Sequence, residues 1–267
     1  MEIGNLSHSA SLNTGSRYPV LGKNAQIPAV FQNNALDREA AKDLCLEMPT
    51  ILLLRHGEIP QATPRRFIGQ RDLALTEQGR RQASQWAETL TELPITSAWC
   101  SSLDRCRETA ALALAGHRLK ATPLESLREI SLGSWEGLTE DEVRARFPGQ
   151  FERRGMDLAN VAPEGGESFA QVQERAWTAL SDILDQTEGI ALVVAHAGIN
   201  RSIISRVLSL PLNQVFSLGQ NYAAMNILNF PAGASAQLVA LNLPPVPAGT
   251  LRDLLPKPRP AAAGSAE

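Results

Sequence analysis

Cysteine is scarce in this chain of 267 residues, and the three present stand at 45, 100 and 106. They form no C-x-x-C pair and no zinc-ligand spacing, which excludes a disulfide framework and suits a reducing compartment. Neither sign of charge is in excess: the formal net charge is −3. A field that weak gives no pull toward nucleic acid or an anionic membrane. No apolar run approaches the roughly 20 residues that a membrane span needs. The N-terminus, MEIGNLSHSASLNTGSRYPV, has neither a basic stretch nor an apolar core, so it does not read as a secretory signal. The expectation is a soluble, cytoplasmic protein with no nucleic-acid or membrane partner; the oligomeric state is not legible.

What is present is a core-forming chain, 43% hydrophobic, with tails of another character. Residues 1–47 are rich in Asn, Ser and Ala without sustained period. They read either as a flexible extension or as a translation start placed too early, with Met48 opening the domain. Residues 244–267 are dense in proline and end on small residues, which reads as a disordered tail. Between them, 48–243, strands alternate with helices. TILLL (50–54), ITSAWCS (95–101) and GIALVVAH (189–196) suit buried strands. Helices are expected over 76–93, capped by Thr76, over 103–116, closed by Gly116, and over 199–208. Capping boxes at Thr139/Glu142 and Ser168/Gln171 open two more. AAMNILNF and AQLVALNL close the series as strands. This alternation predicts an α/β fold with a largely parallel sheet, whose ligands sit beyond the carboxyl ends of the strands.

Two of those ends resemble each other. ILLL runs into Arg55-His56-Gly57, and IALVVA runs into His196-Ala197-Gly198. Each puts a histidine at the ligand edge, followed by small residues that let another group approach the backbone. The chain has only four histidines, so the coincidence is informative. Arg105, in the first turn of a helix that follows a strand, can reach the same edge. Arg55 and Arg105 together would suit the oxygens of a phosphoryl group.

The ordered set LLLRHGE, DLALTEQG, SSLDRCRETA, LREISLGSWEG, PEGGES and VVAHAGINR resembles the histidine phosphatase superfamily, the phosphoglycerate mutase-like proteins, over about residues 50 to 230. The resemblance implies a three-layer sandwich with a mixed, mainly parallel sheet flanked by helices. It implies that His56 is a nucleophile that becomes a phosphohistidine, that Arg55 and Arg105 bind phosphate, and that His196 stabilises the transferring group. Glu129, in LREI, matches the general acid. No cofactor or metal is implied, and the partner is a small phosphomonoester. The compact segment after Glu129, with PEGGES, is most similar to the α-ribazole phosphatase and broad-specificity branch.

The chemistry is consistent on its own terms. A phosphomonoester dianion needs cationic donors, which the arginines supply, with His196 as a further donor if protonated. An imidazole attacks near neutral pH without an adjacent base. An alkoxide leaves poorly, so a carboxylic acid must deliver a proton and later accept one from water. Glu58, Glu136 and Glu167 compete with Glu129 for that role, each beside a turn or cap. The chain departs from the family pattern at Ala62, where asparagine is common, at Ile68, where glutamine is common and Gln70 follows, and at Ala197. A mutase and a non-catalytic phospho-ligand binder on the same fold remain as alternatives. A cysteine phosphatase is excluded because four residues, not five, separate Cys100 from Arg105. No Asp-rich or H-E-x-x-H motif supports a metallophosphatase.

Overall fold

The computed structural model describes residues 49–256. Six strands form one sheet in the order β3-β2-β4-β1-β5-β6. They are β1 Thr50–Arg55, β2 Ile95–Ser101, β3 Thr122–Leu124, β4 Ile190–Ala195, β5 Met225–Asn229 and β6 Gln237–Leu243. The helices are α1 Glu77–Thr91, α2 Asp104–Ala113, α3 Glu140–Arg146, α4 Gln150–Met156, α5 Phe169–Asp185, α6 Ala197–Val207 and α7 Ala248–Leu254. β1 to β4 are mutually parallel where they pair, while β5 and β6 run antiparallel. The expected mixed, mainly parallel α/β sheet is therefore present.

Strands β1 and β4 lie at the centre, and their aliphatic runs have no polar face because helices cover both sides. Side chains alternate across the pleat. Ile51, Leu53, Ala191 and Val193 join a core with α5 and α6. Leu52, Leu54, Leu192 and Val194 join a second core with α1, α2 and α7. These two cores, one on each face of the sheet, make the three layers.

The expected N-terminal caps form. Thr76 accepts from the Gly79 amide, and both capping boxes form. Helix α2 stops at Ala113, short of Gly116, whose closeness to the Thr91 side chain leaves no room for a Cβ. Residues 1–47 lie outside the described residues. The expected tail from 244 is corrected over its described part. Helix α7 buries Leu251 completely and Leu255 nearly so, four residues apart on one face. Thr89 Oγ1 donates to the Val246 carbonyl at 2.5 Å, and Arg252 donates to the Glu92 carbonyl at 2.7 Å, tying this segment to α1. Among the described residues no helix is long and apolar enough to cross a membrane.

Candidate active site

Strand register builds the site. β1 pairs with β4 so that Arg55 faces Ala195, which puts the next residues, His56 and His196, at the same level on neighbouring strands. The His56 amide donates to the Ala195 carbonyl at 3.0 Å, and the two rings stand 5.1 Å apart, edge to face. β2 flanks β4 on its other side and ends at Ser101, whose hydroxyl lies 2.8 Å from His196 Nε2. The chain then turns into α2 and delivers Arg105 three residues beyond Ser102. Three adjacent parallel strands thus converge on one pocket.

Gly57 is required by the backbone: a Cβ there would overlap the Gly79 carbonyl, so the end of β1 can cross the start of α1 only without a side chain. Gly198 serves a side chain instead. A Cβ on it would overlap Glu129 Oε1, and its amide donates to Glu129 Oε2 at 3.1 Å. The other carboxylate oxygen accepts from the Ile130 amide at 2.8 Å. The Glu129 carbonyl is held by Gln70 and Arg175. The Glu129 carboxylate is thereby fixed against the first turn of α6, immediately after His196.

The hydrogen bonds assign both imidazole tautomers. His56 Nδ1 lies 2.7 Å from the Gly57 carbonyl, which can only accept, so Nδ1 carries the proton and Nε2 keeps its lone pair. His196 Nδ1 accepts from Arg105 Nε at 3.3 Å, which places its proton on Nε2, donating to Ser101. Burial, then Arg55 and Arg105, hold His56 well below the usual imidazole range. Burial, then Arg105 and His56, do the same to His196. Both directions favour the neutral rings, so neither histidine is expected to stand as a cation.

The two arginines are not equivalent. Arg55 Nη1 donates to the Gln220 carbonyl at 2.5 Å, and its Cζ lies 3.8 Å from the Tyr222 ring centroid. Gln220 is itself fixed by the buried amides of Asn200 and Asn226. Arg55 Nε is buried without a partner. Arg105 is 1% exposed and spends its donors on the carbonyls of Gly69 and Arg71 as well as on His196. It anchors the 69–71 loop as much as it faces the pocket.

Glu136 accepts from the Gln70 and Leu132 amides, Glu167 is locked by a two-point ion pair to Arg175, and Glu58 accepts from the Thr76 hydroxyl of the α1 cap. Glu129 too is held by backbone amides, but of these four carboxylates it is the one bound to the first turn of α6, next to His196. Gln70 does not replace the polar group absent at Ile68, because its amide is bound to the Glu129 carbonyl at 2.9 Å. Ala62 is exposed. Sequence reading missed Ser101, Tyr222 and the Asn200–Gln220–Asn226 cluster. None of them carries a local pattern that distinguishes it from an ordinary loop or core residue. No group of three or more His, Cys, Asp or Glu side chains converges as a metal site among the described residues.

A sequence profile of the histidine phosphatase superfamily (branch 1) matches residues 51–244. A bifunctional protein of Mycobacterium tuberculosis is 30% identical over 234 residues, spanning 82% of this chain and 64% of that protein. The chain thus covers less than two thirds of that longer relative. An acid phosphatase of the same organism is 33% identical over 197 residues, 72% of this chain and 92% of its own. The crystal structure of the α-ribazole phosphatase from Shigella flexneri superposes with a TM-score of 0.67 over 72% of this chain and 96% of that one. At 23% identity that likeness is one of fold.

Proposed function

The chain belongs to the histidine phosphatase superfamily, branch 1, and from that premise we propose that it hydrolyses a small phosphomonoester through a phosphohistidine, without a metal. One observation carries the reading. His56 presents an unprotonated Nε2, with Nδ1–H held by the Gly57 carbonyl, beside two guanidinium groups that favour a phosphoryl dianion and disfavour imidazolium. In the first step Nε2 attacks phosphorus and the P–O bond to the alcohol breaks. Glu129, entering as the carboxylic acid, gives its proton to the departing oxygen. The phosphoimidazole carries positive charge, which the Nδ1–H···O bond to Gly57 spreads. In the second step the Glu129 carboxylate takes a proton from water as the oxygen attacks phosphorus, and His56 leaves as neutral imidazole. Arg55 and Arg105 hold the phosphoryl oxygens throughout, with the His196–Ser101 pair beside them.

Hydrolysis is favoured over mutase chemistry because the segment after Glu129 is short. One turn at Gly133–Trp135 leads straight to the capped helix α3, with no long insertion to enclose a bisphosphate. α-Ribazole phosphate is a substrate to try among other small esters. The test is brief exposure of the enzyme to a phosphomonoester, then denaturation and digestion at alkaline pH, where a phosphohistidine survives. An acid-labile phosphoryl group is expected on the peptide holding His56, and His56→Ala should abolish turnover. A label on serine or cysteine, or a folded protein that binds phosphate and turns nothing over, would overturn the reading.

A further inference from the structure

Glu129 is carried by irregular chain. Residues 128–132 lie between the single turns Glu125–Leu127 and Gly133–Trp135, outside any helix or strand, so no ladder takes their backbone groups. A guanidinium supplies the missing bonds. Arg175, about two turns into α5, spends all five of its N–H donors here. Nη1 donates to the carbonyls of Ser126 at 2.9 Å and Arg128 at 2.8 Å, and Nη2 to that of Glu129 at 3.2 Å. Nε and Nη2 also donate to the two carboxylate oxygens of Glu167, each at 2.7 Å. Glu167 in turn accepts from the Ser131 amide at 2.8 Å and gives its own amide to the Ser131 carbonyl at 2.8 Å. The bonds of this pair therefore land on both sides of Glu129.

The slot that this loop feeds has little tolerance. Glu129 Oε1 occupies the space that a Cβ on Gly198 would take, and Oε2 accepts the Gly198 amide at 3.1 Å. A carboxylate displaced by about 1 Å loses both that fit and its line to a departing oxygen, and a misplacement of that size costs about 10²-fold in rate. Every donor of Arg175 is spent away from His56, His196, Arg55 and Arg105, so its route to the reaction is the loop that it holds.

Resting on the phosphatase reading, we propose that Arg175, locked by Glu167, is a positioning residue for the proton transfer: it sets where the Glu129 carboxylate stands and touches neither substrate nor the reacting atoms. The planar fork matters because its donors leave in fixed directions and reach three carbonyls and a carboxylate at once. Arg175→Lys keeps the charge that is felt at His196. It leaves a single nitrogen on a flexible stem, which cannot hold the carbonyls of 126, 128 and 129 together.

Phosphorylation bursts of the full chain with glycerol 3-phosphate and p-nitrophenyl phosphate test this. Arg175→Lys should slow glycerol 3-phosphate by about 10- to 100-fold and p-nitrophenyl phosphate far less, since nitrophenolate departs without a proton. A merely structural loss would lower Tm and reduce both rates alike. Glu167→Gln, which takes one acceptor from Arg175, should tilt the ratio the same way by less, and decides alone if Arg175→Lys does not fold. In the double variant Arg175→Lys/Glu129→Gln, Arg175→Lys should add no further loss on glycerol 3-phosphate, because changes that act through one group are not additive. Equal loss on both esters in Arg175→Lys, or its full cost repeated on top of Glu129→Gln, would overturn the proposal. Should Glu129→Gln itself slow both esters alike, the acid role falls; should the native enzyme hydrolyse neither, the phosphatase reading falls. The Gly198 amide resonance in ¹⁵N–¹H spectra then judges the placement without turnover. In Arg175→Lys it must move toward its position in Glu129→Ala; a resonance left at its native position means that Arg175 does not place the carboxylate, and the proposal falls as well.

Discussion

Two neutral histidines buried among guanidinium groups make fold stability depend on pH in a definite way. His56 is 3% exposed and His196 fully buried, and burial together with the neighbouring arginines depresses both. In the unfolded chain each titrates near its ordinary value of about 6.5. Below that pH the unfolded state binds protons that the folded state refuses. A group whose folded pKa lies below its unfolded one in this way, gaining charge on protonation, lowers stability as pH falls. Each refused proton contributes a slope of about 1.4 kcal/mol per pH unit. Integrated from pH 7.5 to 5.5, the two rings together cost up to about 3 kcal/mol of unfolding free energy, a large share of a typical 5–15.

The window isolates them. Burial opposes the charge on Glu167, but Arg175 and the Ser131 amide outweigh it and hold the carboxyl below its usual range; the Thr139 amide, chiefly, lowers Glu142. Depressed carboxylates stabilise above about pH 4.3 and lose that contribution only below it. Burial pushes Cys100 up to about 11 and raises Cys106 too, so thiols matter only above about pH 8.5, where the unfolded chain ionises first. Urea unfolding at half-unit steps from pH 5.5 to 7.5 reads the effect. His56→Ala or His196→Ala should remove about half of the dependence, and the double substitution nearly all of it. Stability that stays flat across this window, or a slope that survives the double substitution, would refute the picture of two neutral buried rings.

Three other expectations can be checked separately. Glu129→Gln should slow the phosphorylation burst with alkyl phosphates by about 10² to 10⁴ while sparing p-nitrophenyl phosphate, whose leaving group needs no proton; equal loss on both would remove Glu129 from the acid role. Leu251→Ala should cost about 2–5 kcal/mol in thermal or urea unfolding, as for a core leucine, whereas an unchanged Tm would return residues 244–256 to the status of a tail. Phosphatase activity should survive exhaustive EDTA, and recovery that depends on added Mg²⁺ or Zn²⁺ would put a metal in the mechanism.

The strands, the caps and the histidine pair were legible in the sequence because their signals are local. An unbroken aliphatic run, a Thr or Ser three residues before its Glu or Gln, and a histidine closing a strand can each be read without knowing the neighbours. Helix α7 was hidden by composition. Its Leu251, Leu254 and Leu255 stripe sits among prolines, yet Pro247 stands at the N-cap, where no helical amide bond is lost. The clamp on Arg55 was illegible for a different reason. Gln220, Tyr222 and Asn226 reach it across 165 residues or more of chain, and only the antiparallel register of β5 on β1 brings them there.

The glycines after the two histidines show where local reading stops. His-Gly and His-Ala-Gly look like one device used twice, and both do exist so that something can come close. Gly57 admits the backbone of α1, which fixes the strand that carries His56 against a helix start. Gly198 admits the carboxylate of Glu129, which arrives from a loop 69 residues earlier. The second glycine therefore already encoded the vacancy that the acid fills. Any side chain at 198 should displace the carboxylate from behind His196 while leaving the histidine pair in register. The sequence motif at one strand end thus constrains Glu129 and the histidine pair together, although nothing within it says which of four glutamates would come.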